Sequence, residues 1–147
     1  MAVQITVSQR GAALVGQAVF LLLIAYTYYR ASLNAYEIRL YAIKIYGRVI
    51  HEFDPWFNYR ATVYLAENGW QKFSHWFDYT AWYPLGRPVG TTIYPGMQVT
   101  SVAIWNTLNA LGGKWAMSLN DVCCFVPAWF GVSASIFLGL LTGECSN

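Results

Sequence analysis

Charged residues are missing from three long stretches of the chain: 19 residues between Arg10 and Arg30, 26 between Arg87 and Lys114, and 22 between Asp121 and Glu144. As helices rising about 1.5 Å per residue they reach roughly 28, 39 and 33 Å, against a hydrocarbon core of about 30 Å. The first and third are expected to cross a membrane, as helices over residues 11–33 and 121–142. The middle stretch is broken in its opening third by Pro88, Gly90 and Pro95-Gly96, which leaves an apolar helix within residues 97–113. Its regular part, about 15 residues, is short for a span. Crossing the membrane and lying against it as part of the preceding loop both stay open.

The first apolar run has the look of a signal peptide, with Arg10 as its basic flank. Signal cores are shorter and end in a small-residue cleavage site. Here the run ends in Tyr26, Tyr28, Tyr29 and Arg30, the aromatic and basic edge of a membrane–water interface, so an uncleaved anchor is expected, preceded by a tail over residues 1–10.

Between the first and second apolar runs, residues 30–87 hold twelve of the sixteen charged residues, both histidines and four of the seven tryptophans. Asn34 and Glu37 have capping-box spacing, which predicts a helix restarting there and running to about Gly47. Asp54-Pro55 predicts a sharper start, with the Asp54 carboxylate as N-cap and the proline at the first helical position. Asn68-Gly69 supplies the stop. On that helix, residues 55–67, Trp56, Tyr59, Val63 and Ala66 share a face suited to a membrane or another helix. The following aromatic and turn-rich segment, to Gly96, is expected to be ordered but irregular. The loop as a whole covers residues 34–96, and residues 143–147 are read as a truncated end.

Composition sharpens this division. The chain of 147 residues is 56% hydrophobic, 18% aromatic and only 11% charged, whereas roughly a quarter of residues are charged in soluble domains. Disorder is excluded for the same reason. The net charge of +2 is too small for a face that tracks nucleic-acid phosphates. Cys123, Cys124 and Cys145 form no disulfide framework and fix no redox compartment.

Candidate chemistry is confined to the loop, because there is no phosphate-binding glycine loop, no nucleophile elbow and no cysteine pair at zinc spacing. In His51-Glu52-Phe53-Asp54 two carboxylates stand two residues apart and could serve a hard divalent cation, but two acids are insufficient alone. Taken by themselves these residues favour a structural reading: Asp54 as a cap, Glu52 exposed or paired with Arg48, and His51 at an interface. Arg60 and Arg87 suit phosphate geometry, with ion pairs or interface anchors as the commoner use. The aromatics suit membrane anchoring, and less often sugar stacking.

The run His51-Glu-Phe-Asp-Pro-Trp-Phe-Asn-Tyr-Arg60, then Trp76-Phe77-Asp78, Ala81-Trp-Tyr-Pro-Leu-Gly-Arg87 and Tyr94-Pro-Gly96 closely resembles the eukaryotic oligosaccharyltransferase catalytic subunit. The resemblance reaches from the first apolar segment to Thr142-Gly-Glu144 and matches the N-terminal end of a larger protein. It implies an all-α integral membrane chain with two or three transmembrane helices and a large helical and irregular lumenal loop, part of a many-span glycosyltransferase of the GT-C type. The implied activity is transfer of a preassembled oligosaccharide from a dolichyl pyrophosphate carrier to asparagine in Asn-x-Ser/Thr sequons of an acceptor polypeptide, with Mn²⁺ or Mg²⁺ as cofactor. Glu52 and Asp54 match the family's Glu-x-Asp motif, which makes both candidate catalytic residues and Asp54 the metal ligand. Arg87 becomes a candidate contact for the carrier pyrophosphate.

The family's second acidic motif, its further catalytic glutamate and its Trp-Trp-Asp domain do not occur in this sequence, so the chain alone is expected to be inactive and to act with the remainder of the enzyme and other oligosaccharyltransferase subunits. The resemblance implies the endoplasmic reticulum membrane, a cytosolic N-terminus and a lumenal Asp54 loop. The count of Lys and Arg, higher in the loop than before the first run, argues weakly for the opposite direction. Two other classes compete. A transporter usually carries ionisable or broken elements at membrane depth, which the first and third runs lack. A noncatalytic membrane subunit would use Gly131, Ser133, Ala134, Ser135 and Gly139 for helix packing.

Overall fold

The computed structural model describes residues 2–146. Met1 and Asn147, the outermost residues of the expected tail and end, lie outside them. Among the described residues the secondary structure is helical, with α1 (Ala2–Tyr46), α2 (Phe53–Phe73), the short α3 (Val89–Thr92), α4 (Gly96–Leu111), one 3₁₀ turn (Gly113–Trp115) and α5 (Leu119–Cys145). Two helices are long and apolar enough to cross a membrane, residues 11–46 of α1 and all of α5. They contain the stretches expected to span, residues 11–33 and 121–142, and each extends beyond them.

The break expected at Asn34 is absent. Residues 31–46 continue α1 without interruption, and residues 2–10 are helical instead of a tail. Between Gly16 and Gly47 the sequence contains neither glycine nor proline, and Ala31, Leu33 and Ala35 around Asn34 are strong helix formers. A capping box acts only where the preceding backbone leaves the helix, and nothing here makes it leave. The stop at Gly47 is real: the residue takes a positive φ of 82° that a glycine adopts without steric cost.

The chain divides into two compact units, one of residues 1–40 and 128–147 and the other of residues 41–127. In the first, Arg39 of α1 lies against Gly131 of α5 and Tyr28 against Gly139. The two glycines, eight residues apart on α5, leave room for these long side chains.

The second unit is built on α2 and α4, which pack together. Its core is Ala61, Leu65, Phe73 and Val89, surrounded by Phe57, Tyr64, Trp76, Ile93 and Val102. Tyr64 stacks on Trp76 with ring centroids 4.0 Å apart and planes 5° from parallel. The α2–α4 seam also buries polar groups: Thr62, Gln98 and Ser101 are fully enclosed, and Gln98 Nε2 donates to Asn58 Oδ1 at 2.8 Å. The face suited to a membrane or another helix is not the one buried within this unit: Ala61, Thr62 and Leu65 are buried, while Trp56 is 53% exposed and Tyr59, Val63 and Ala66 are half-buried.

Gly69 ends the regular part of α2 with φ 73°, ψ 172°, after which one more helical turn reaches Phe73. The Asn68-Gly69 signal thus marks a kink rather than the terminus. From there to α4 the backbone is irregular but tied down, as expected. Asp78 and Arg87 form an isolated antiparallel bridge, and Gly90 N–H donates to Trp76 C=O at 2.9 Å.

Candidate functional site

The start of α2 carries the predicted acids, but not in the predicted capping arrangement. Glu52 is the N-cap residue, at φ 71°, and its side chain makes no capping bond. Asp54 lies in the first turn and is helical, not extended. The turn into the helix is made at Glu52, two residues before Asp54, the position on which Pro55 imposes its bias. Pro55 still costs no hydrogen bond, since the first four helical N–H groups have no acceptor within the helix; the first to find one is Trp56 N–H, 3.4 Å from Glu52 C=O. The expected bond between the Asp54 carboxylate and the N–H near Phe57 does not form. Only the Asp54 backbone carbonyl is engaged, by Asn58 Nδ2 at 2.9 Å. Among the described residues the carboxylate has no hydrogen-bond partner, and it sits where the positive end of the helix favours an anion.

Asp54 borders a cavity of about 600 Å³ that is also lined by Phe57, Arg60, Asp78, Trp82 and Arg87. A second cavity, of about 250 Å³, meets Asp54 from another side, next to Asn58, Tyr59 and Met97. Burial and the adjacent Cys123 and Cys124 push the Tyr59 phenol up from its ordinary value, so this side of the site holds a protonated hydroxyl. Glu52 is not on the wall of either cavity.

The two arginines left open in the sequence have different surroundings. Arg60 pairs with Asp78: Nε lies 2.8 Å from Oδ2 and Nη2 3.1 Å from Oδ1. Nη2 also donates to Thr80 Oγ1 at 2.7 Å. Asp78 is 3% exposed. Burial pushes its carboxyl up, but the Thr80 hydroxyl and amide together with the Arg60 guanidinium outweigh this and hold it below the usual carboxylate range. Arg87 has no carboxylate partner among the described residues. Its guanidinium lies 4.6 Å from the Phe57 ring centroid and 5.3 Å from that of Trp82, held by cation–π contacts that keep the charge available to a ligand. Of the two readings of Glu52, exposed or paired with Arg48, the structure has the exposed one: Arg48 pairs with Asp121 at 2.8 Å, and His51 packs edge-on to Tyr46.

The site thus brings Asp54 and Arg87 to one cavity and leaves Glu52 off its wall. Asp78, which the sequence offered only as part of an aromatic run, is its main organiser. Its partner Arg60 is 18 residues away on α2, whereas Asp78 lies in the irregular segment beyond that helix, so no single helix or strand relates the two.

The family model for "Oligosaccharyl transferase STT3, N-terminal" matches residues 19–147. The chain belongs to this STT3 family. It is 44% identical over 125 residues to the dolichyl-diphosphooligosaccharide–protein glycosyltransferase subunit STT3A of Oryza sativa subsp. japonica, a match covering 85% of this chain and 16% of that protein. It is 50% identical over 102 residues to the STT3 subunit of Saccharomyces cerevisiae, covering 68% of this chain and 14% of that one. With the stt-3 subunit of Caenorhabditis elegans the identity is 48% over 106 residues, 72% of this chain and 14% of the relative. The STT3-family chain therefore corresponds to about one-sixth or less of the length of these relatives.

For a divalent cation, this STT3 domain offers a carboxylate with free oxygens beside a cavity. Among its described residues there is no cluster of three His, Cys, Asp or Glu side chains placed to hold a metal. That donor set suits a cation such as Mg²⁺, which uses one or two protein carboxylates along with water and substrate phosphates.

Proposed function

We propose that this chain is the N-terminal portion of the catalytic subunit of an oligosaccharyltransferase. The enzyme moves a preassembled oligosaccharide from a dolichyl pyrophosphate carrier to the side-chain amide of asparagine in an Asn-x-Ser/Thr acceptor. The observation that carries this reading is the pairing, on one cavity wall of an STT3-family chain, of a carboxylate without hydrogen bonds and a guanidinium without a carboxylate.

In this reading α1 and α5 cross the endoplasmic reticulum membrane and the unit between them faces the lumen, with α4 packed on α2 as part of the loop. Asp54 has two tasks, to hold part of a Mn²⁺ or Mg²⁺ site and to accept a hydrogen bond from the acceptor carboxamide. An amide nitrogen is a poor nucleophile because its lone pair is delocalised into the carbonyl, and a carboxylate on its N–H draws that lone pair back toward nitrogen. The C1–O bond to the pyrophosphate breaks as the C1–N bond forms, the carrier leaves as its diphosphate, and the proton lost by the amide passes to solvent. A cation bound there would neutralise charge on the departing diphosphate. Arg87, presented by Phe57 and Trp82, binds the same pyrophosphate through its forked N–H groups. Glu52 supports Asp54 from the preceding turn, and the remaining ligands and the sequon-binding surface come from other parts of the enzyme.

The test is Asp54→Asn in the full-length protein within its native complex. Because the Asp54 carboxylate has no hydrogen-bond partner among the described residues, assembly and thermal stability should stay close to wild type while glycosyl transfer falls at least about 100-fold, the scale of losing one transition-state group. Wild-type turnover in that variant overturns the assignment. Orientation is tested separately with His75→Cys in sealed microsomes, where labelling by an impermeant thiol reagent before permeabilisation contradicts a lumenal loop.

A further inference from the structure

The Arg60–Asp78 pair looks like a simple structural lock, yet it leaves part of Arg60 unused. Nε and Nη2 are taken up by Asp78 and Thr80, whereas Nη1 has no partner among the described residues. The Arg60 side chain is 53% exposed and lines the same 600 Å³ cavity as Arg87 and Asp54. A guanidinium held along one edge presents its remaining N–H groups in a fixed direction, with little rotamer entropy left to lose on binding.

Asp78 also fixes the other arginine. Its N–H donates to Arg87 C=O at 2.8 Å and its C=O accepts from Arg87 N–H at 2.9 Å. A single buried residue therefore anchors Arg60 through its carboxylate and Arg87 through its backbone. Asp78 neutralises the charge of Arg60 but blocks only one edge of it. Among the described residues the Arg87 guanidinium has no carboxylate and is engaged only through Nε by Thr92 Oγ1 at 3.4 Å and by the two rings. What faces the cavity is therefore the Arg87 cation and one oriented pair of N–H donors on Arg60. A diphosphate, two linked groups rich in acceptor oxygens, is the ligand chemistry that uses both.

We propose that Arg60 is a second contact for the diphosphate of the donor and that Asp78 is the positioning residue that sets both arginines on it. This rests on the glycosyltransferase reading given above. The test uses the full-length enzyme in its native complex, with a short-chain isoprenyl diphosphate-linked disaccharide as donor and a sequon peptide as acceptor, and measures KM for each along with thermal stability. Arg60→Lys keeps a cation beside Asp78 but loses the fork, and is expected to raise donor KM about tenfold with acceptor KM within about twofold of wild type. The double variant Arg60→Met/Asp78→Asn leaves no buried charge unpaired, so folding is retained, and its donor KM is expected to rise at least as far.

A folded double variant with wild-type donor KM overturns the proposal, since Arg60 would then serve only to satisfy Asp78. Equal rises in both KM values, or a donor effect that follows lost thermal stability, overturn it as well. Full turnover by Asp54→Asn instead defeats the underlying reading, an outcome distinguishable from failure of the Arg60 proposal alone.

Discussion

Arg48 Nη1 lies 2.8 Å from Asp121 Oδ2 and joins the segment that follows α1 to the first turn of α5 across 73 positions of sequence. Asn120 Nδ2 reinforces the joint by donating to Arg48 C=O at 2.8 Å, and the guanidinium lies 5.4 Å from the Phe125 ring centroid. Because Arg48 is more than half exposed, solvent screening keeps its net contribution small. A double-mutant cycle of Arg48→Gln and Asp121→Asn, followed by thermal unfolding of the full-length protein, should give a coupling of about 0.2–1 kcal/mol. A coupling of zero would assign the joint to Asn120 and the ring contact.

Gly90 allows the irregular segment to cross the end of α2. A Cβ added there would come within 2.2 Å of Phe73 C=O and 2.7 Å of the Ser74 carbonyl carbon. Both are backbone atoms, so no rotamer change relieves the clash. Gly90→Ala is expected to destabilise the protein by at least about 1–3 kcal/mol, the usual scale of overpacking. Limited proteolysis between residues 74 and 90 measures this directly, and wild-type protease resistance would contradict the packing described.

Asp78 gives the loop unit an acid limit. Its folded-state carboxyl titrates below the usual range, and an unfolded aspartate titrates near about 3.9. For a carboxyl depressed on folding, the stabilisation is fully present above the unfolded value and is lost as pH falls through the folded one. Melting temperature should therefore hold down to about pH 5 and drop below about pH 4, and Asp78→Asn should start lower and drop less steeply over that window. Parallel curves for the two proteins would remove Asp78 as a source of the acid sensitivity.

Arg87→Lys separates charge from fork geometry. Lysine keeps the cation but neither stacks between Phe57 and Trp82 as a planar group nor donates two parallel bonds. Donor KM is expected to rise about tenfold, a loss of about 1.4 kcal/mol, with little change in melting temperature because Arg87 carries no ion pair. Full activity with unchanged donor KM excludes bidentate recognition at this position.

The sequence by itself determined what depends on local chemistry. Charge-free length marked α1 and α5 as membrane-spanning candidates, because desolvating a charge in hydrocarbon is too costly to leave the pattern ambiguous. Glycine and proline placed the turn at Gly47 and the irregular run before α4, since each acts through its own φ/ψ limits; at Gly69 they marked a break whose nature, a kink and not a stop, was left to the structure. The runs His51 to Arg60 and Ala81 to Arg87 identified the family and drew attention to Glu52, Asp54 and Arg87. What only the tertiary structure decided depends on residues far apart in the chain. The buried face of α2 followed the close approach of α4 rather than the largest side chains. Arg48 passed over nearby Glu52 for Asp121, and Asp78 came to organise Arg60 and Arg87 because a fold that buries a carboxylate must bring cations and donors to it. Such pairings are set by which elements meet in space, and helical and strand periodicity relate only near neighbours.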